Sequence, residues 1–172
     1  VEGGCQGTSR FDITTRGRVA HSGRAWLGHN AIHDAAPILD RLAAYVPRTV
    51  VVDGLEYREG LNATWITGGV ALNSIPDTCT VSVNFRFAPD RDEADARAHV
   101  AQVFEGYELV YTDFSPAARP GLDRPAAKEF LDAVGGDPLP KYGWTDVARF
   151  SALGVPAVNF GPGDPALAHT DD

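Results

Sequence analysis

The sequence is poor in the residue types that mark several protein classes. Its 172 residues include no methionine and only two cysteines, Cys5 and Cys79, which form neither a CxxC pair nor a disulfide framework. We expect both to be ordinary thiols in a reducing, cytoplasmic setting. The start, Val1–Gly4, has neither an initiator methionine nor the pattern of a signal peptide, so we expect a piece excised from a longer chain.

Charge and hydropathy exclude two kinds of partner. The net charge is -8 and the charges are dispersed without a basic run, which argues against nucleic acid and against an anionic membrane surface. No apolar stretch approaches the ~20 residues of a membrane span. A chain that is 44% hydrophobic and 22% charged suits one or two small globular domains.

Periodicity predicts an α+β domain over residues 6–113. The cleanest strand is 77–87, where every second residue is apolar: Val81, Val83, Phe85 and Phe87. Further strands are expected at 6–15, 61–67 and 107–112, and helices at about 30–45 and 93–105. This β-α-β-β-α-β order is the ferredoxin-like plan, with 49–52 as an additional edge strand. One sheet face takes both helices, and the other is solvated or covered by a partner.

Both predicted helices have an apolar stripe. Asn30 is the expected N-cap of the first helix, and Pro37 should kink it or shift its start. Its inner face is predicted from helical spacing to hold Ile32, Ala35, Ala36, Leu39, Leu42 and Ala43. The second helix is predicted to turn inward Ala94, Ala98, Ala101 and Phe104. Outside the helices, Trp26 and Trp65 are expected to be packing residues.

Composition changes after a linker at 113–123. Residues 114–172 are expected to hold helices at 125–134 and 146–153 and a strand at 155–160, too little to bury a core alone. They therefore indicate the C-terminal segment of a larger α/β domain. The loop after the last strand carries His169, and ligands gather where loops leave the carboxyl ends of strands. His169 is thus a candidate metal ligand or acid/base group.

Several separated segments occur in one characteristic order: Gly7-Thr8, Ala20-His21-Ser22, Gly28-His29-Asn30-Ala31-Ile32, Asn73-Ser74-Ile75-Pro76, Asn84-Phe85-Arg86-Phe87, Trp144-Thr145-Asp146 and Gly161-Pro162-Gly163 with Ala168-His169. With them the chain resembles the co-catalytic zinc aminoacylase and carboxypeptidase family. Within that family, four phrases resemble the actinobacterial succinyl-diaminopimelate desuccinylases: Glu2-Gly3-Gly4-Cys5-Gln6-Gly7-Thr8, Tyr57-Arg58-Glu59-Gly60-Leu61, Lys141-Tyr142-Gly143-Trp144-Thr145-Asp146 and Gly161-Pro162-Gly163-Asp164-Pro165.

The resemblance implies a zinc-binding α/β catalytic domain interrupted by a ferredoxin-like dimerisation domain. Residues 6–113 would be the inserted domain, and 114–172 an incomplete return into the catalytic domain. The family binds two zinc ions, for which cobalt can substitute, through two histidines, a bridging aspartate and two acidic residues, with a glutamate as general base. Only His169 matches this set. We therefore expect the other ligands before Val1, and we expect the isolated chain to be inactive.

The resemblance also assigns roles to five other residues. His21 would reach across a homodimer and stabilise the oxyanion of the tetrahedral intermediate, where an imidazole donor is suited. Asn73 would lie beside the substrate carbonyl, and Arg86, Thr145 and Arg149 would bind substrate, with Arg86 and Thr145 holding carboxylates. Each has a plain structural alternative as well: a loop histidine, a turn asparagine, exposed arginines and a helix N-cap.

The implied activity is hydrolysis of N-succinyl-L,L-diaminopimelate, in the synthesis of lysine and diaminopimelate. Two alternatives stay open. One is another acyl-amino-acid hydrolase of the family, such as acetylornithine deacetylase. The other is a dimerisation module without catalysis, whose self-association surface would be strand 81–87 and the first helix.

Overall fold

The computed structural model describes residues 1–161. Its strands are β1 (Glu2–Gly3), β2 (Gly7–Arg16), β3 (Ala20–His21), β4 (Thr49–Val52), β5 (Leu55–Arg58), β6 (Gly60–Gly68), β7 (Ser74–Ile75), β8 (Thr78–Phe87), β9 (Val110–Ser115) and β10 (Leu139–Pro140). Its helices are α1 (Ala31–Asp34), α2 (Ala36–Ala43), α3 (Glu93–Val103), α4 (Pro125–Val134) and α5 (Val147–Ala152), with a 3₁₀ helix at Ser22–Leu27. No helix in this part of the chain is long and apolar enough to cross a membrane.

Four strands form the main antiparallel sheet, in the order β6-β8-β2-β9. β2 and β8 pair along their whole length, from Gly7 opposite Phe87 to Arg16 opposite Thr78. Because β8 is paired on both edges, it cannot extend the sheet into a second copy through an edge. The edge strands are β6 and β9. The expected extra edge strand at 49–52 is also wrong in its pairing, since β4 forms a separate hairpin with β5.

The core lies between one face of this sheet and the helices. The alternation predicted for β8 is confirmed, because its apolar residues all point inward and its polar residues point to the other face. The inner face of the sheet packs against α1, α2 and α3, and the buried cluster comprises Phe11, Ile13, Ala31, Ala35, Ile38, Leu61, Cys79, Val81, Val83, Phe85, Phe87, Ala96, Val100 and Phe104.

The first helix is divided at Ala35, two residues before Pro37, as the proline predicted. Asn30 is the N-cap, and its side-chain oxygen accepts from the backbone N–H of Ile32 at 2.9 Å. The predicted inner face is wrong in part. Of the six residues, Ala35 is buried and Leu42 is partly buried, whereas the exposed ones are Ile32, Ala36, Leu39 and Ala43. The buried residue after the break is Ile38, because the break changes the helical phase.

The inner face of α3 also differs from the prediction. Ala94, Ala98 and Ala101 are exposed, and the buried residues are Ala96 and Val100. A stripe of alanines has little apolar area to bury, so the helix turns its larger Val100 towards the sheet. Trp26 and Trp65, expected to pack inside, are 77% and 69% exposed.

The C-terminal segment packs around the first residues of the chain. β1 pairs in parallel with β10, and a small core forms from Cys5, Ala118, Val147 and Ala148. Helix α4 has the predicted bounds. The strand expected at 155–160 is wrong, because only an isolated bridge from Asn159 to Glu2 is present. Pro156 removes one backbone donor from that run.

A buried carboxylate joins the β4–β5 hairpin to the end of β8. The Glu59 side chain is 0% exposed and accepts from Arg48 Nη2 at 2.9 Å, Arg91 Nε at 2.8 Å and the Ala88 N–H at 3.1 Å. Burial raises the pKa of this carboxyl, but the hydrogen bonds from Arg48 and Arg91 outweigh burial and leave its pKa below the ordinary value.

We expect Glu59→Gln to destabilise the fold by about 2–4 kcal/mol, because it leaves Arg91 half-buried without its counter-ion while Arg48 keeps Asp90. Since the pKa of Glu59 is depressed, its contribution is present above the ordinary carboxyl pKa and lost as pH falls through the lower value. Urea unfolding at pH 7 and in acid should therefore show a smaller acid loss for the variant. Glu93→Gln, which removes an exposed pair with Arg97, is the control and should cost under about 0.5 kcal/mol. Equal effects of the two changes would contradict a stabilising role of the buried Glu59 carboxylate.

Candidate functional site

His21 and Asn73 lie together on a two-stranded ribbon beside the sheet. β3 pairs with β7, which places His21 opposite Ser74, and the Ser22 N–H donates to the Asn73 carbonyl at 2.8 Å. His21 Nδ1 accepts from the Gly23 N–H at 3.0 Å. In the neutral ring Nε2 then carries the proton, so the exposed imidazole presents a donor outward.

Arg86 lies on the sheet face opposite the helices, between Thr8 and Gly60 on the neighbouring strands. Its Nη1 atom is buried and has no hydrogen-bond partner among residues 1–161. Burial lowers the pKa of this guanidinium, and repulsion from Arg10 lowers it further, while Asp113 acts against both. A buried donor without a partner is satisfied when an acceptor binds, and a carboxylate suits a guanidinium best.

Thr145 and Arg149 lie at the start of α5. Asp146, not Thr145, occupies the N-cap position, and the Thr145 hydroxyl donates to Asn159 Oδ1 at 2.8 Å instead. The Arg149 side chain is 76% exposed, 3.3 Å from Asp146 and 5.6 Å above the Trp144 ring. An open cavity of about 470 Å³ adjoins Thr145, and its lining includes Glu2, Lys141, Asp146 and Asn159.

The structure brings these residues into two separate groups. Arg86 and Thr145 lie near the same end of the sheet, because Arg86 is opposite Thr8 and Cys5 Sγ is 3.8 Å from the Thr145 carbonyl. His21 follows the opposite end of β2. From Thr8 to Arg16 that strand spans about 27 Å at roughly 3.3–3.4 Å per residue. In one chain, the two groups are therefore at opposite ends.

The predicted metal ligand, His169, lies outside the described residues. Within residues 1–161, no group of three or more histidine, cysteine or acidic side chains could hold a metal ion. The described part of the chain thus does not provide the set that a zinc pair needs.

One residue of the site was missed from the sequence. Asn159 joins Thr145 to the first strand, donating from Nδ2 to the carbonyls of Glu2 at 3.3 Å and Gly4 at 2.9 Å. Its only sequence signal is a polar residue inside the apolar run 155–160.

Comparison with known proteins shows the family to which the chain belongs. The sequence profile of the peptidase dimerisation domain of the M20 family matches residues 4–112, and the chain belongs to this family. Over its full length it is 55% identical to a Mycobacterium tuberculosis protein provisionally named succinyl-diaminopimelate desuccinylase DapE, and 48% identical to the succinyl-diaminopimelate desuccinylase of Corynebacterium glutamicum. It spans 49% and 48% of these two proteins, about half of each.

Solved structures agree at the level of fold. A tripeptidase from Staphylococcus aureus matches 90% of this chain with a TM-score of 0.64 and 21% identity, and the aligned part is 43% of that protein. Aminopeptidase PepT from Bacillus cereus matches the same share with a TM-score of 0.64 and 16% identity. The α+β fold is therefore that of M20-family structures.

Proposed function

We propose that the protein to which this chain belongs hydrolyses N-succinyl-L,L-diaminopimelate to succinate and L,L-diaminopimelate. The observation that carries this proposal is the 55% identity to the mycobacterial protein along the entire chain. Two zinc ions, or cobalt in their place, would polarise the amide in the complete enzyme. His169 would be one ligand, and the described residues serve the other tasks: binding, orienting and stabilising the substrate.

We further propose that 6–113 is the dimerisation domain, of ferredoxin-like plan, and that 114–172 belongs to the catalytic domain. The profile match to residues 4–112 supports this division. So does the strand order β6-β8-β2-β9 with the helices on one face. Glu2 and Gly3 pair with β10 rather than with the main sheet, as expected of a chain entering from the catalytic domain.

The dimer would form along β6 and the outer side of α1 and α2. One edge of β6 pairs with β8, and the other has no strand partner within residues 1–161. Exposed apolar side chains cluster beside that edge: Ile32, Leu39, Trp65 and Ile66. A second copy could add its own β6 and bury this surface, as strand addition at a sheet edge does.

A twofold dimer of this kind would bring the His21 group of one chain close to the Arg86 group of its partner. Gly60 of β6 is opposite Arg86, whereas Gly68 lies at the His21 end, opposite Cys79. If two β6 strands pair antiparallel, the Gly68 end of one copy lies beside the Gly60 end of the other. The His21 end of each chain would then approach the Arg86 end of its partner, which one chain alone cannot achieve.

The chemistry of each group suits this arrangement. Nε2–H of His21 would donate to the oxyanion that forms as the amide carbonyl is attacked, with Asn73 beside the same carbonyl. Arg86 would bind a substrate carboxylate through its unpartnered Nη1. Thr145 and Arg149 would contact substrate from the α5 side.

The complete protein should hydrolyse N-succinyl-L,L-diaminopimelate with a higher kcat/KM than N-acetylornithine. Arg86→Lys should lower kcat/KM by about 10–100-fold, mainly through KM, because an ammonium keeps the charge but loses the planar fork. Arg97→Lys, at an exposed pair on α3, is the matched control and should stay within about twofold. Preference for N-acetylornithine would instead select the acetylornithine deacetylase alternative.

Sedimentation equilibrium should show a dimer for the complete protein and a monomer for Trp65→Glu/Leu39→Glu. The two carboxylates would have to be buried unpaired at the β6 surface. Leu153→Glu, at an exposed leucine in the C-terminal segment, should leave the dimer intact. A wild-type monomer would contradict the proposed dimer.

Co-expression tests the shared site directly. His21→Ala and Arg86→Ala should each be nearly inactive, yet a random mixture of the two should regain about a quarter of wild-type activity. Half of the dimers would be mixed, and each mixed dimer would have one of two sites intact. Activity no higher than that of the single variants would show that both residues act within one chain.

A further inference from the structure

Large apolar side chains are exposed on the two loops that meet at the ribbon of His21. One loop is 19–28, in which every residue of the 3₁₀ helix is exposed, and the other is 69–75. We call the two loops together the tip. Its most exposed apolar residues are Trp26, Leu27, Val70 and Leu72, at 77%, 54%, 95% and 109%. A contiguous apolar patch of this kind is unusual on a monomer and typical of an interface.

The backbone of the tip is held by few strand pairs. β3 and β7 have two residues each, and the Ser22 N–H adds one bond to the Asn73 carbonyl at 2.8 Å. Leu72 directly precedes Asn73, so its side chain lies on the same turn. A two-stranded ribbon of this size is at best marginally stable by itself. The position of His21 therefore depends on the surface against which the tip rests.

The apolar surface of the tip continues onto the β6 edge. Gly68 ends β6, and a Cβ at this position would lie 3.0 Å from Ile32 Cγ1. Ile32 is exposed there, and so are Trp65 and Ile66, which precede Gly68 on β6. Val70 follows two residues later. One partner can therefore cover both the β6 edge and the tip.

The C-terminal segment of the same chain lies at the other end of the sheet. β1 pairs with β10, and the small core around Cys5 forms there too. From Gly7 to Arg16, β2 spans about 30 Å at roughly 3.3–3.4 Å per residue, and the tip follows its far end. In the proposed antiparallel pairing of β6, the C-terminal segment of the second copy comes to this far end. The geometry therefore makes a second copy the occupant of the tip surface.

We propose that the tip docks on a second copy of this chain through Trp26, Leu27, Val70 and Leu72, beside that copy's Arg86 group, and that this contact sets the position of His21. The reaction and the twofold dimer are those of the proposed function, on which this inference rests. The β6 edges hold the copies together, whereas the tip places a donor within about 3 Å of the developing oxyanion.

The tip variant Trp26→Ser/Leu72→Ser of the complete enzyme should still sediment as a dimer, because β6 is unchanged. Its kcat on N-succinyl-L,L-diaminopimelate should fall by about 10–100-fold, since a displacement of about 1 Å at the reacting atoms has an effect of this size. KM should change by less than about threefold, because Arg86 still binds the substrate.

The control is Val46→Ser, at a valine beyond α2 that is 84% exposed and far from the tip in sequence. It should keep the wild-type kcat, because removing an exposed side chain has little effect on the fold. Wild-type kcat in the tip variant would overturn the proposal.

Mixed dimers show which chain the tip serves. Co-expression of the tip variant with Arg86→Ala should regain about a quarter of wild-type activity, because each mixed dimer has one site with an intact tip and an intact Arg86. Co-expression with His21→Ala should regain none, since every site then has either a damaged tip or no His21. Recovery with His21→Ala, or none with Arg86→Ala, would overturn the proposal.

Solvent accessibility tests the contact without an assay of hydrolysis. Hydroxyl radicals should oxidise Trp26 and Leu72 in the wild-type dimer at no more than about a third of their rate in the monomeric Trp65→Glu/Leu39→Glu variant, because the contact excludes water. Val46 should react equally in both. Protection of Trp26 in a dimer that does not hydrolyse the substrate would support the contact and contradict only the proposed function. Equal oxidation in dimer and monomer, or a monomeric wild type, would overturn the contact itself.

Discussion

The full-length antiparallel pairing of β2 with β8 is the constraint on which the rest of the structure depends. Its register, Gly7 opposite Phe87 through Arg16 opposite Thr78, fixes which side chains form the core and which form the polar face. The Phe87 ring packs against Gly7 so closely that a Cβ there would lie 2.1 Å from it. The same pairing places Arg86 near one end of β2, whereas His21 follows the opposite end of that strand.

The end of the sheet that contains Arg86 is fixed by several side-chain hydrogen bonds. Buried Tyr57 donates from its hydroxyl to the Gly3 carbonyl at 2.8 Å, and Gln6 Nε2 donates to the Arg58 carbonyl at 2.6 Å. Glu59 ties the same hairpin to Arg91 just beyond β8. The N-terminal segment, the hairpin and the C-terminal segment thus meet where substrate would be held. The His21 ribbon, by contrast, is exposed, as suits a group that acts in a partner.

The sequence could predict those parts of the fold in which the residue pattern of one strand or helix is enough to show which of its side chains are buried. β8 has an apolar residue at every second position, so its inner face was evident. The helix faces were not, because Ala94 and Ala98 match the helical period but offer little area, and because Pro37 changes the phase of the first helix. The strand at 155–160 was predicted because the run is apolar. Whether a run forms a strand also depends on a neighbouring strand that pairs with it, and here only Asn159 forms a bridge.

The same reasoning explains why Thr145 could be found in the sequence but its polarity could not. Its partner Asn159 is 14 residues away, and the two carbonyls that orient Asn159 are 157 and 155 residues away along the chain. Only the folded chain shows that this hydroxyl donates its hydrogen bond to Asn159. Arg86 Nη1 is a buried donor without a partner within residues 1–161, and it lies at the end of the sheet where Thr145 and Asn159 meet.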